Sequence, residues 1–124
     1  RNSVTGETIG IDSHSLWVNN SVIGEASRWF PIGGEVQPGR VPKEQWLEEL
    51  QRLKAGGLDT ISAYMVWIYH EEAKGSFVFD GRRDVRTFLK LAGSLGFRVL
   101  LRIGPWIHGE VRNGGHPDWV LKEE

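Results

Sequence analysis

The sequence predicts an α/β fold made of repeated strand–helix units. Three observations lead there. Two segments carry apolar residues at helical spacing, and glycine stops each of them. Each glycine opens directly into a short run suited to a buried strand: Gly57-Leu58-Asp59 enters one, Gly96-Phe97-Arg98 the next. The resulting order of strand, helix, strand, helix, strand is the kind that builds parallel sheets. With 124 residues, of which 40% are hydrophobic and 25% charged, the chain has ordinary globular composition and enough length for one core.

The elements follow in order. Residues 8–18 alternate loosely around Ile9, Ile11, Leu16 and Val18, with Asp12-Ser13-His14 as a turn, so a β-hairpin is expected within a lead-in over residues 1–26. Phe30 to Val36 is a short apolar run, the first strand, followed by a loop with Pro38, Gly39 and Pro42. Pro42 suits a first helical turn, and Glu44 carries the charge that a helix N-terminus favours. Trp46, Leu47, Leu50 and Leu53 then recur at helical spacing, and Gly56-Gly57 ends the helix. Thr60 to Trp67 reads as the second strand and Phe77 to Phe79 as a small extended piece. Val85, Phe88, Leu89, Ala92 and Leu95 share one face of a helix over 84–95, and Phe97 to Ile103 forms the third strand. A long loop, 104–117, precedes a short helix near Asp118.

Other classes lose ground on composition. A formal net charge of −1 gives no reason to expect nucleic acid or an anionic membrane as partner. No run approaches the roughly 18 apolar residues of a membrane helix, and the start carries no signal-peptide pattern. The chain opens on Arg1 rather than Met and is expected to be processed or cut from something longer. With no cysteine, disulfides and thiolate chemistry are excluded. An N-x-S sequon begins at Asn19 and matters only in a eukaryotic secretory route. His70-Glu71-Glu72 is not H-E-x-x-H and the histidines lack ligand spacing, so neither metal nor cofactor is expected.

Two architectures fit the repeat, an eight-fold barrel and an open doubly wound sheet. A dinucleotide-binding sheet shows G-x-G-x-x-G after its first strand, whereas Val36 is followed by Gln37-Pro38-Gly39-Arg40. In a barrel, functional groups collect at the carboxyl ends of the strands. Those ends carry Glu35; then Tyr64, Trp67, His70 and Glu71; then Arg102, Trp106, His108, Glu110, Arg112 and Asn113. Carboxylates, an amide, a phenol and indoles on one rim suit a polyhydroxylated ligand. Arg102, on a strand, is expected to pair with a neighbouring carboxylate rather than to touch ligand.

The stretch Arg102-Ile103-Gly104-Pro105-Trp106 through Glu110, Gly114-Gly115, Pro117 and Trp119 resembles the third-strand motif of glycoside hydrolase family 35. Gly34-Glu35, Arg40-Val41-Pro42, Trp46, Lys54-Ala55-Gly56-Gly57-Leu58, Tyr64 to Glu71 and Phe79-Asp80-Gly81 are similar to that family in order and spacing. The resemblance covers about residues 27–121. It implies the N-terminal portion of a (β/α)8 barrel, about three strands and two helices preceded by the hairpin, with residues 27–124 as the truncated first part of a catalytic domain. It also implies retaining hydrolysis of terminal β-galactosyl residues. By resemblance Tyr64 and Glu110 hydrogen-bond the galactose hydroxyls; Glu35, Trp67 and Asn113, from their place on the rim, complete the expected substrate-binding set. The family's acid/base, a glutamate after an asparagine on the fourth strand, and its nucleophile, a glutamate on the seventh, fall downstream of Glu124, so this chain alone is expected to be inactive. Many members have a cysteine before the binding glutamate, where His108-Gly109 stands here. A related retaining β-glycosidase and a non-catalytic sugar-binding barrel are the alternatives. Localisation and oligomeric state are not legible.

Overall fold

A computed structural model describes residues 6–122, so the first five residues of the expected lead-in lie outside the described residues. The chain divides into two compact units, residues 1–31 and residues 32–124.

The first unit is a three-stranded antiparallel sheet, β1 (Glu7–Ile11), β2 (Leu16–Asn20) and β3 (Glu25–Trp29), in the order β1-β2-β3. The Asp12 carboxylate fixes the first turn by accepting from the backbone N–H of His14 at 2.8 Å and of Ser15 at 2.9 Å, and it pairs with Arg28 of β3 at 2.7 Å. The expected hairpin is thus β1 and β2 only. A third strand is added, and it runs across the boundary expected after residue 26. Its sequence, EASRW, is exposed at every position but the last and lacks the alternation that marks a half-buried strand.

The second unit carries the predicted repeat. Strands β4 (Gly33–Glu35), β5 (Thr60–Tyr64) and β6 (Arg98–Arg102) form a parallel sheet in that order, with Glu35 opposite Ser62 and Tyr64 opposite Arg102. Helix α1 (Trp46–Ala55) connects β4 to β5. A four-residue helical turn, α2 (Trp67–His70), and helix α3 (Val85–Ser94) connect β5 to β6. The second strand was expected to reach Trp67. It stops at Tyr64, and Trp67–His70 forms instead a helical turn in which Ile68 and His70 are buried, with Val66 buried just before it. Phe77 to Phe79 forms no strand. The only local pairing among the described residues of this loop is the Ala73–Ser76 bridge.

Both long helices end in the same way. Gly57 (φ 89°) and Gly96 (φ 74°) take the left-handed conformation that glycine adopts without a Cβ clash. The following residue folds back: Leu58 N–H donates to Leu53 C=O at 3.2 Å, and Phe97 N–H donates to Ala92 C=O at 3.0 Å. This is the Schellman arrangement, and in each case the apolar residue after glycine packs beside the helix it has just left. At its N-terminus α3 is capped by Asp84, which accepts from Thr87 N–H at 3.0 Å and receives an ion pair from Lys43 at 2.7 Å, so the starts of α1 and α3 are joined.

One core lies between the sheet and these helices. Trp46, Leu50, Ile61, Ala63, Phe88 and Ala92 are completely buried there, and the Trp46 and Phe88 rings meet edge to face at 5.5 Å. Each large side chain contributes about 1.5–3 kcal/mol of burial. Strand residues of the opposite parity, Ser62, Leu100, Tyr64 and Arg102, lie on the other face of the sheet, and Leu100 is 62% exposed on it.

Candidate functional site

Three strands end at the same edge, and the register carries their last side chains to the sheet face away from the helices. Glu35 ends β4, Tyr64 ends β5 and Arg102 ends β6. The Arg102 guanidinium donates to Glu35 at 3.1 Å and lies over the Tyr64 ring, 4.1 Å from its centroid. Gln37 Nε2 donates to the other Glu35 oxygen at 3.1 Å. The pairing expected of Arg102 is with Glu35.

Glu110 reaches this group from the loop after β6. Ile107 anchors that loop: it is buried against Tyr64, Val66 and Ile68, and its N–H donates to Gly114 C=O at 2.8 Å. Gly115 (φ 90°) passes so close beneath Ile107 that a Cβ would come within 2.8 Å of its side chain. The Glu110 carboxylate then accepts from the Tyr64 hydroxyl at 3.4 Å, and its main-chain oxygen accepts from Arg40, in the loop after β4. Burial pushes the Tyr64 phenol up, Arg102 opposes this, and Glu110 and Glu35 push it further up. The phenol therefore stays a proton donor through the neutral range.

Glu35, Tyr64 and Glu110 thus stand together, while Trp67 and Asn113 engage neighbouring groups. Trp67 opens α2, donates its indole N–H to Glu71 at 2.6 Å, and packs against Trp119 (5.7 Å) and His116 (5.8 Å). Asn113, in the left-handed region at φ 57°, donates to Asp118 at 2.8 Å, and Arg112 pairs with the same carboxylate. Glu71 is no open rim acid: it is buried and accepts from Trp67 and, at 2.7 Å, from Gly75 N–H. His70 is likewise structural, buried with Nδ1 3.0 Å from Val78 C=O and its ring stacked on Phe79 at 4.8 Å.

Trp106 is 58% exposed, beside His108 with ring centroids 3.9 Å apart. Gly114 (φ 60°) seats its ring: a Cβ there would lie 2.3 Å from Trp106 Cδ1 and Nε1. An exposed, seated indole in the loop that carries Glu110 offers an apolar face of the kind that packs on a sugar ring. The role of Arg40 had no sequence signal beyond its place in Arg40-Val41-Pro42, because its partner is a main-chain oxygen far along the chain. Among the described residues no cluster of three or more His, Asp or Glu could hold a metal ion.

The sequence profile of glycosyl hydrolases family 35 matches residues 21–124. The chain belongs to that family. Among family-35 and other relatives, an exo-β-D-glucosaminidase of Thermococcus kodakarensis is 46% identical over 95 residues, covering 73% of this chain. A β-galactosidase of Canis lupus familiaris is 42% identical over 93 residues, 75% of this chain. Human β-galactosidase-1-like protein 2 is 39% identical over 99 residues, 80% of this chain. The matched stretch is 12%, 14% and 16% of these relatives' own lengths. Solved structures share the fold at low identity. An exo-β-1,4-mannosidase from an Opitutaceae bacterium superposes with a TM-score of 0.62 at 19% identity, over 89% of this chain and 20% of its own. The hyperthermophilic endocellulase of Pyrococcus horikoshii gives 0.59 at 20% identity, over 81% of this chain and 32% of its own. The parallel β4-β5-β6 sheet with its helices is therefore an arrangement that glycosidases of different specificity also use.

Proposed function

We propose that the protein carrying this chain is a retaining glycoside hydrolase that removes terminal β-galactosyl residues, and that this chain supplies the wall that grips the terminal sugar. The observation that carries the reading is the Tyr64–Glu110 contact, closed in by Glu35 and Arg102 at the carboxyl ends of three parallel strands. Family membership and relatives named as β-galactosidases support it. In this reading Glu110 accepts from sugar hydroxyls, Tyr64 donates, Arg102 and Gln37 hold Glu35 toward the same ring, and Trp106 packs its apolar face. Trp67 and Asn113 line the same end of the sheet, Asn113 by holding the 110–118 loop in shape.

Retaining hydrolysis needs two carboxyl groups about 5 Å apart, one protonating the leaving oxygen and one attacking the anomeric carbon. We assign neither role to Glu35, Glu71 or Glu110. Glu35 is held by an arginine and Glu71 is enclosed, while Glu110 matches a family sugar-binding position. The acid/base and nucleophile belong to later strands of a completed barrel, and residues 1–124 alone are expected to show no turnover.

A second reading has its own support: relatives 46% and 44% identical are named exo-β-D-glucosaminidases. One experiment separates the two. The full-length protein is assayed with 4-nitrophenyl β-galactoside and 4-nitrophenyl β-glucosaminide. Higher kcat/KM on the galactoside supports the first reading, preference for the glucosaminide supports the second, and hydrolysis of neither would sink both.

A further inference from the structure

Beside the Tyr64–Glu110 group lies a cavity of about 650 Å3 for which the reading above has no use. It is formed by the loops that follow β4 and β5, which open on the same edge of the sheet. Arg40, Arg82 and Arg83 line it, together with Tyr69, Glu72 and Asp80. Both carboxylates lean on one cation: Arg83 is 3.3 Å from Asp80 and 3.9 Å from Glu72. Arg40 spends its contact on a neutral acceptor, the main-chain oxygen of Glu110. Among the described residues Arg82 has no ion-pair partner and is exposed. Two guanidinium groups thus face the cavity without a carboxylate of their own, and three cations against two anions leave it with a positive excess.

The cavity is connected to the sugar-gripping group. Arg40, Arg82 and Arg83 also line a narrow crevice of about 10 Å3, room for about one water, whose other walls include Tyr64 and Gln37. Arg40 stands between the two, its side chain in the cavity wall and its hydrogen bond on Glu110. Through Arg40, a ligand held at Glu110 lies one side chain away from the guanidinium groups of the cavity. Guanidinium forks suit carboxylate and sulfate oxygens, which they engage with paired N–H donors.

We propose that this cavity is a subsite for an oxyanion, a carboxylate or sulfate carried by the part of the glycan that follows the terminal sugar, with Arg82 as its principal contact. The proposal rests on the reading that Tyr64 and Glu110 hold the terminal sugar. It makes the enzyme one that favours acidic glycans over neutral ones of the same linkage.

The test compares two β-galactosides that differ only at the group in question. Lactobionate carries a carboxylate on its open-chain second unit, and lactitol carries a hydroxymethyl there. Release of galactose from each by the full-length protein, at low ionic strength, gives a ratio of kcat/KM values. An exposed ion pair is worth up to about fivefold, so a ratio of about 5 is expected, falling to about 1 in Arg82→Gln and in about 0.5 M salt, where screening is nearly complete. A wild-type ratio near 1, or a ratio of 5 that survives in Arg82→Gln, overturns the subsite. Hydrolysis of neither compound overturns the galactosidase reading instead, and the cavity is then read directly by calorimetric titration with sodium sulfate. Sulfate binding that is lost in Arg82→Gln supports the subsite, and the absence of binding, or equal binding by both proteins, overturns it.

Discussion

Trp46→Phe is the substitution that best separates two things the core does. The Trp46 indole is completely buried, and its N–H is shared between Pro38 C=O at 3.2 Å and Val41 C=O at 3.1 Å. Phenylalanine keeps an aromatic edge against Phe88 but removes that donor and part of the ring. The lost hydrogen bond costs about 0.5–1.5 kcal/mol, and a carbonyl left with a weaker set of partners adds to it. The missing ring atoms cost roughly another 1–2 kcal/mol at about 0.8 kcal/mol per buried methylene equivalent. A total of about 2–4 kcal/mol follows, which at a urea dependence of about 2 kcal/mol per molar is a midpoint shift of about 1–2 M. Tryptophan fluorescence is altered by the substitution itself, so the midpoint is better read by hydrogen exchange on peptides spanning β5. The indole also clamps the Pro38–Val41 turn, which carries Arg40 to Glu110, so KM for a galactoside should rise in conditions where the fold is intact. A midpoint within about 0.3 M of wild type would refute the reasoning, and an unchanged KM would refute the link from core to site.

Glu110→Gln in the full-length protein should raise KM for a galactoside at least about tenfold, since a hydrogen bond to a charged group is worth about 1.5–3 kcal/mol, while the unfolding midpoint hardly moves; unchanged kcat and KM would make Glu110 a loop acid only. Asp84→Asn keeps an acceptor for Thr87 N–H but removes the charge that faces Lys43. Lys43 first, then Thr87, hold the Asp84 carboxyl well below the usual carboxylate range, so its contribution is present above the unfolded value near 4 and is lost as pH falls below it. The wild type should therefore be the more stable protein at pH 7, with the gap closing below about pH 4 in thermal scans; a gap independent of pH would remove the ion pair from the account. Gly114→Ala should cost about 1–2 kcal/mol for a left-handed alanine and push Trp106 off its seat, visible as altered near-ultraviolet circular dichroism, and an unaltered spectrum would show that the seat is not needed.

Local chemistry decided which parts of this fold could be read in advance. Gly57 and Gly96 end their helices through backbone geometry that only a few consecutive residues determine, so both helix ends and both following strands stood clear in the sequence. Glu35 and Tyr64 were legible as a rim because parallel strands deliver their last residues to one edge, and Glu110 because the loop after β6 leaves from that same edge. Where tertiary contacts chose between options, the sequence was silent or misleading. Trp67 to His70 has the β-branched and aromatic content of a strand, and its buried residues alternate as a strand's would, yet it folds as a helical turn. Glu71 was expected on the rim, but the Trp67 indole and Gly75 N–H enclose it. Strand β3 has no apolar alternation to announce it, since four of its five residues are exposed.

The ion pair between Lys43 and Asp84 joins the last residues of two loops, one leaving β4 and one leaving β5, just where each gives way to a helix. It acts as a common footing. Changes of sequence or length between residues 72 and 82 can reshape what the rim meets while both helices keep their starting points. Diversity of recognition and constancy of scaffold are in this way assigned to different stretches of the same chain.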